Sequence, residues 1–302
     1  MKKFDVVLLT DHRYVVAKTN DQYTKNVFTE DGLVEKALNN LGLVTIKKDW
    51  NDPNFDWSST KLALFRTTWD YFDRFPAFRK WLDEVKNKCS LINTYEQINW
   101  NLDKHYLKDL KNNGVRIPKS IFVKKEKNKN LSLIAMENGW EEIVVKPTVS
   151  GAARHTYRLS GGEIKNFESK WKELSCVEDF IIQEFQKNII TKGEVAIMLF
   201  GGEYTHSVLK KAKSGDFRVQ DDFGGSVIEY NPSSEMINIA KKAIKNLLPI
   251  PAYARVDLIW DNDNKIAVSE LELIEPELWF RFNNKSADLL AFEVKEYLKN
   301  LN

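Results

Sequence analysis

Three carboxylates on what reads as a β-hairpin are the residues of this chain best placed to do chemistry. Asp257 lies in Ala254-Arg255-Val256-Asp257-Leu258-Ile259-Trp260, and Glu270 and Glu272 lie in Ala267-Val268-Ser269-Glu270-Leu271-Glu272-Leu273. Burying carboxylates in an apolar ribbon is costly unless a cation compensates them. Asp261-Asn262-Asp263-Asn264 separates the two runs and reads as a turn. A four-residue loop sets Trp260 opposite Lys265 and Asp257 opposite Val268. Side chains alternate with period two, so Asp257, Glu270 and Glu272 are expected on one face. Val256, Leu258, Trp260, Ala267, Leu271 and Leu273 then form the core face. Three carboxylates over a hydrophobic sheet suit a hard divalent cation, and Mg²⁺ with a nucleotide is the commonest reason to build such a site. The competing reading is a solvated strand face whose charges fall together by chance.

Several cations could complete such a site. Lys146 ends the apolar run Ile143-Val144-Val145 and leads into Pro147-Thr148-Val149-Ser150-Gly151-Ala152-Ala153-Arg154. A lysine at a strand mouth supplies a point charge for a polyphosphate, and the loop amides and the Ser150 hydroxyl can donate to its oxygens. The segment is not a Walker motif, so an ordinary surface turn competes. Lys210 and Arg218 flank the loop 212–217 and could reach phosphate charge. Arg255, two residues before Asp257, projects to the same face, where a structural ion pair is the alternative role. Lys104 sits near a helix start, with a solvated charge as its plainer reading. Gln183-Glu184-Phe185 ends an apolar strand and could offer an edge to an adenine base. Arg66-Thr67-Thr68-Trp69-Asp70-Tyr71 follows a strand end, where α/β sheets place ligands. Arg66, Asp70 and Tyr71, with Asp11 and Arg13, are therefore substrate-facing candidates. The aromatic residues Trp69, Tyr71, Phe72, Phe75, Phe78 and Trp81 read as inter-lobe core before a ligand cage.

The elements that must position these residues follow from periodicity and turn chemistry. Strands are expected over 4–9, 43–46, 61–65 and 91–92, with helices over 31–41 and 75–85; strand–helix alternation argues for a parallel sheet. Thr94-Tyr95-Glu96-Gln97 reads as a capping box, followed by a helix over 103–110. A second lobe opens near Pro118 with strands at 120–123 and 143–146, helices near 131–138 and 163–174, and a strand at 179–185. Gly201-Gly202 suits a primed turn between strands 194–200 and 203–210. A helix capped near Ser233, the acidic hairpin and a last helix over 283–298 complete the chain. The fold class is α/β and α+β, with a parallel N-terminal domain over 1–115, a small α+β lobe over 116–186 and an antiparallel-sheet lobe over 187–302.

Composition removes other classes. The 45 basic and 43 acidic residues leave a net charge of +2, without the global field of a nucleic-acid binder. The mixed run Lys124-Lys125-Glu126-Lys127-Asn128-Lys129 reads as a solvated loop. Cys89 and Cys176 form no C-x-x-C motif, and four scattered histidines offer no zinc spacing. Val6-Val7-Leu8-Leu9 is too short for a signal segment and no run reaches membrane-spanning length. A cytoplasmic protein with neither nucleic acid nor membrane as partner is expected. A G-x-S-x-G elbow and a G-x-G-x-x-G loop are both missing, which disfavours a serine hydrolase and a dinucleotide enzyme.

The order of these signals carries more than any one of them. A lysine before a small lobe, a strand-end lysine with a small-residue loop, Gln-Glu-Phe, a Glu194 hairpin, a basic pair, and Asp followed by Glu-x-Glu resemble the ATP-grasp superfamily from about Asn93 to Pro276. The resemblance implies a nucleotide held between two α+β lobes behind an N-terminal pre-ATP-grasp domain. It implies Lys104 and Lys146 on the α- and β-phosphates under a loop from Thr148 to Arg154 that includes Ser150 and Gly151. Gln183, Glu184 and Phe185 would read adenine, and Glu194 the ribose hydroxyls. Lys210 and Arg218 would serve the γ-phosphate and an acyl phosphate, and Arg255 is a further catalytic candidate. Asp257, Glu270 and Glu272 would bind Mg²⁺, two ions with Mn²⁺ as a substitute. Many members, bacterial glutathione synthetases among them, have Glu-x-Asn where this chain has Glu270-Leu271-Glu272. Arg66 to Tyr71, Gly215-Asp216-Phe217-Arg218-Val219-Gln220 and Leu273-Ile274-Glu275-Pro276-Glu277-Leu278 are similar to the branch that contains the cyclo-ligase of cycloserine biosynthesis. The implied activity is ATP-dependent joining of a carboxylate and an amine on an amino-acid-like or small peptide substrate. An intramolecular cyclo-ligase and a nucleotide binder without catalysis are the alternatives. Members are often homodimers.

Overall fold

In the computed structural model, residues 2–301 are described apart from 20, 128 and 214–223. The first sheet holds β1 (Phe4–Thr10), β2 (Thr45–Asp49), β3 (Thr60–Thr67) and β4 (Ser90–Ile92) in the order β2-β1-β3-β4, all parallel. One face packs Val6 and Leu8 against Met198 and Phe200 of the last lobe and the helix Lys285–Lys299. The other face packs Val7, Leu9 and Phe65 against Trp50, Phe78 and Trp81. The aromatic run is thus divided. Phe78 and Trp81 belong to the core of this sheet rather than to a junction between lobes.

The helix Gln22–Asn40 starts well before the expected 31–41, because Asp21 caps it by accepting from the Thr24 amide at 2.8 Å. Hydrophobic periodicity misses its first half, since the buried face includes Glu30 and Asp31. Glu30 accepts from the backbone amides of Phe280 at 2.7 Å and Arg281 at 3.0 Å, so its burial is compensated.

The second sheet is antiparallel, with β5 (Ser120–Val123), β6 (Glu142–Pro147), β7 (Tyr157–Ser160) and β8 (Phe180–Glu184) in the order β5-β8-β6-β7. Strand β8 is therefore interior, not the free edge expected of Gln183-Glu184-Phe185. The Glu184 and Phe185 amides are already donated to the carbonyls of Lys119 and Glu142. The expected helix over 163–174 is two helices, Gly162–Asn166 and Glu168–Ser175.

The third sheet runs β11-β10-β9-β12-β13, with β9 (Glu194–Phe200), β10 (Glu203–Lys211), β11 (Ser226–Glu229), β12 (Tyr253–Trp260) and β13 (Ile266–Glu272). Gly201 and Gly202 both have positive φ, at 56° and 84°, as a primed turn between β9 and β10 requires. Strand β13 lies at the edge, and the residues after β4 cover it. Asn101 donates to the Leu271 carbonyl and accepts from the Leu273 amide, each at 2.8 Å. The Tyr106 hydroxyl accepts from the Leu271 amide at 3.0 Å, and Asn93 donates to the carbonyls of Tyr253 and Leu273. Side chains thus satisfy edge groups that would otherwise be buried unpaired. Asn101→Ala is expected to destabilise the protein by about 3 kcal/mol in urea unfolding, because it strands one donor and one acceptor. A change below about 1 kcal/mol would show that solvent reaches this edge.

Candidate active site

The acidic hairpin aligns its carboxylates through an irregularity that simple alternation does not contain. Trp260 pairs with Ile266 and Leu258 with Val268, one step from the expected register. A bulge follows at Ser269, after which Asp257 pairs directly with Glu270 and Arg255 with Glu272. Without that extra residue, continuing the pairing of Leu258 with Val268 would set Asp257 opposite Ser269. Val268 is accordingly core, packed with Leu258, Val256 and Leu271, instead of lying on the carboxylate face. The Ser269 hydroxyl donates to the Asp257 carbonyl at 3.0 Å and to Glu194 Oε2 at 2.8 Å, holding the bulge against β9. Asp257, Glu270 and Glu272 bring one oxygen each to within 4.8 Å of one another. Hard oxygen donors at that spacing fit Mg²⁺.

The acids are matched by cations on the same sheet face or across the cleft. Lys210, opposite Glu194 on β10, reaches Glu194 Oε1 at 2.6 Å and Asp257 Oδ2 at 2.8 Å. Burial by itself lowers the Lys210 pKa, but Asp257 and Glu194 outweigh it and the net shift is upward. Arg255 Nη2 bridges Asp257, at 3.0 Å, and Glu272. Lys104 donates to the Ser150 carbonyl at 2.7 Å and lies 3.1 Å from Glu270 Oε1. Burial pushes Glu270 up, yet Lys104 and Lys146 dominate and hold it far below the usual carboxylate range. Glu272 moves the other way: burial first, then the charges of Glu270 and Asp257, outweigh Arg255 and push it up to about 7. Desolvation lowers Lys146, and Lys104 adds to that effect while Glu270 opposes it.

These residues line a cleft of about 430 Å³ between the three sheets. Lys104, Lys146, Ser150, Gly151, Gln183, Glu184, Phe185 and Glu194 lie along it, with Tyr71, Lys210, Arg255 and the three carboxylates. The loop after β6 closes one side. Arg154 grips Glu178 and donates to the Val149 carbonyl, and the Ser150 hydroxyl donates to the Arg154 carbonyl at 2.9 Å. That hydroxyl is engaged within the loop instead of facing a ligand. A Cβ on Gly151 would meet the Phe72 ring at 2.5 Å, so glycine is required for this close approach.

Two expected substrate residues are elsewhere. Arg66 is 2% exposed and turns to the opposite sheet face, where it donates to Asp31 at 3.2 Å over the Phe280 ring. Asp70 accepts from Trp50 Nε1 at 2.7 Å and from Arg74, and does not line the cleft. Arg13 lines it, bonded to Asp11 at 2.6 Å. Arg218 and the segment 215–220 lie outside the described residues. Sequence reasoning passed over Ser269 and Glu275 as site residues. The three-residue spacing of the core positions Val268 and Leu271 is the signal that could have exposed the bulge.

Because Glu272 takes up a proton near neutrality, divalent-ion binding should compete with protons below about pH 7. The Mg²⁺-dependent part of ADP affinity is expected to fall about tenfold per pH unit below 7 and to level off above 8. Calorimetry at pH 6, 7 and 8 checks this, and a flat profile would contradict the elevated Glu272.

Residues 6–93 match the family described as the N-terminal domain of D-cycloserine synthetase DcsG. The cycloserine biosynthesis protein DcsG of Streptomyces lavendulae is 26% identical over 87% of this chain and 92% of its own length. The crystal structure of D-cycloserine synthetase DcsG superposes with a TM-score of 0.85 at 24% identity, covering 97% of this chain and 99% of the other. D-alanine–D-alanine ligase from Bacillus anthracis gives 0.67 at 14% identity, over 99% and 100% of the two chains. The ATP-grasp ligase PsnB, complexed with a minimal precursor, gives 0.62 at 16% identity, over 96% and 99%. These likenesses show the fold. This chain shares the fold of these ATP-grasp ligases and is similar, in sequence and in structure, to the D-cycloserine synthetase DcsG.

Proposed function

We propose that this protein is an ATP-dependent carboxylate–amine ligase acting on an amino-acid-like or small peptide substrate. The observation that carries the reading is the convergence of Asp257, Glu270 and Glu272 within 4.8 Å, facing Lys104 and Lys146 across one cleft. In the reaction, a substrate carboxylate oxygen attacks the γ-phosphorus of ATP, and the bond to the bridging oxygen breaks to release ADP. An amine then attacks the resulting acyl phosphate, loses a proton and expels phosphate, leaving an amide. Asp257, Glu270 and Glu272 would hold Mg²⁺, which when bound would supply positive charge to offset that of the phosphates.

The chain's own residues position and neutralise charge. Lys146 and Lys104 hold the phosphate chain, Lys210 and Arg255 orient Asp257, and Arg255 orients Glu272. Glu194 takes the ribose, Gln183, Glu184 and Phe185 form the adenine end, and the segment 148–154 covers the phosphates. Arg218 serves the γ-phosphate. The roles extend to two Mg²⁺ ions, replaceable by Mn²⁺, to lobes bounded near 115 and 186, and to a homodimer. Relatedness to a D-cycloserine synthetase favours the intramolecular variant, in which the carboxylate and amine belong to one molecule.

Purified protein with Mg·ATP, given a panel of amino acids and amines, should release ADP only when its substrate is present. Asp257→Asn and Glu270→Gln should each lower that rate by about two to three decades with the melting curve preserved. Near-normal ADP release by either variant would refute the proposal. Release that needs one compound supports cyclisation; release that needs a second amine supports intermolecular ligation.

A further inference from the structure

Most carboxylates of the cleft have a cationic partner. Asp257 has Lys210 and Arg255, Glu194 has Lys210, Glu270 has Lys104, Glu272 has Arg255, and Glu277 has Arg281. Glu275 lines the same cleft and forms no ion pair among the described residues. Its neighbours are the Tyr71 hydroxyl, which hydrogen-bonds its carboxyl, and Trp69, whose indole donates to the Glu275 carbonyl at 2.9 Å. Tyr71 is buried, and Tyr14 and Tyr23 pack against Trp69 at 5.7 and 6.1 Å between ring centroids. Trp69, Tyr14 and Tyr23 all line the cleft.

A half-buried carboxylate without an ion-pair partner is unfavourable: burial and the charge of Glu272 push Glu275 up to about 8, against the smaller pull of the Tyr71 hydroxyl and the Lys104 charge. The surrounding aromatic faces attract cations and repel anions. A carboxyl that lacks an ion-pair partner, walled by aromatic rings beside phosphate-binding machinery, is matched by a ligand carrying an ammonium group, whose charge would hold the carboxyl in its ionised form.

We infer that Glu275, supported by Tyr71 and walled by Trp69, binds the ammonium group of an amino-acid substrate whose carboxylate faces Lys146 and the acidic triad. The inference rests on the ligase reading and names the substrate class: an α-amino compound, read by its positive charge. Glu275 touches the substrate. Tyr71 acts as a positioning residue that fixes the carboxyl by its hydrogen bond.

The test uses the full chain saturated with Mg·ADP and titrated by calorimetry with D-cycloserine and D-alanine. The same compounds without the amino group, isoxazolidin-3-one and propanoate, serve as controls. Wild type should prefer at least one amino compound over its control by about tenfold or more, the worth of a charge-assisted contact. Glu275→Gln should reduce that preference to within about twofold while Mg·ADP affinity stays unchanged; Tyr71→Phe should reduce it by less. A mere packing role for Glu275 would weaken amino compounds and controls alike. Survival of the preference in Glu275→Gln, or its absence from wild type, would overturn the inference. Failure of wild type to bind Mg·ADP at all would instead overturn the ligase reading.

Discussion

The whole site depends on three carboxylates being held close together over an apolar sheet, which costs free energy unless charge and geometry both compensate. Geometry comes from the Ser269 bulge, which brings Glu270 opposite Asp257 and is tied down by the serine hydroxyl. Charge comes from Lys210 and Arg255 on neighbouring strands and from Lys104 on the segment that covers the β13 edge. Removing a single partner would leave an uncompensated charge, so the cluster behaves as a unit rather than as separate pairs.

One sheet face serves two purposes along its length. Toward one end it carries Met198 and Phe200, buried against β1 and the last helix. Toward the other it carries Lys210, Glu194, Arg255 and Asp257 and opens into the cleft. The apolar half fixes the position of the charged half against the parallel sheet, whose strand ends bring Arg13, Trp69 and Tyr71 to the same cavity. The departure from Glu-x-Asn at Glu270-Leu271-Glu272 has a local counterpart: Arg255, paired with Glu272 across the ribbon, offsets the added charge.

Much of this was legible in the chain. The helix Phe75–Val85, the strand Ser120–Val123, the capping box at Thr94 and the diglycine turn coincide with their expected places. Each is dictated by local chemistry. Less legible were the first half of the helix Gln22–Asn40, whose buried acids find partners in distant segments, and the short strands β7 and β11. Arg66 and Asp70 show the same limit. Their charge suggested a ligand, whereas Asp31 and Trp50, distant in sequence, had already engaged them.

By itself the sequence determined the kinds of group available and their order: lysines before and after a small lobe, an acid hairpin, and the ATP-grasp arrangement that this order implies. Tertiary structure alone decided which groups share a cavity, that β8 is interior, and that Glu275 makes no ion pair among the described residues where its neighbours do. The reason is that residue type and local periodicity act within a few positions, whereas charge compensation and edge coverage join residues far apart in the chain, from Lys210 and Asp257, 47 positions apart, to Asn101 and Leu271, 170 apart.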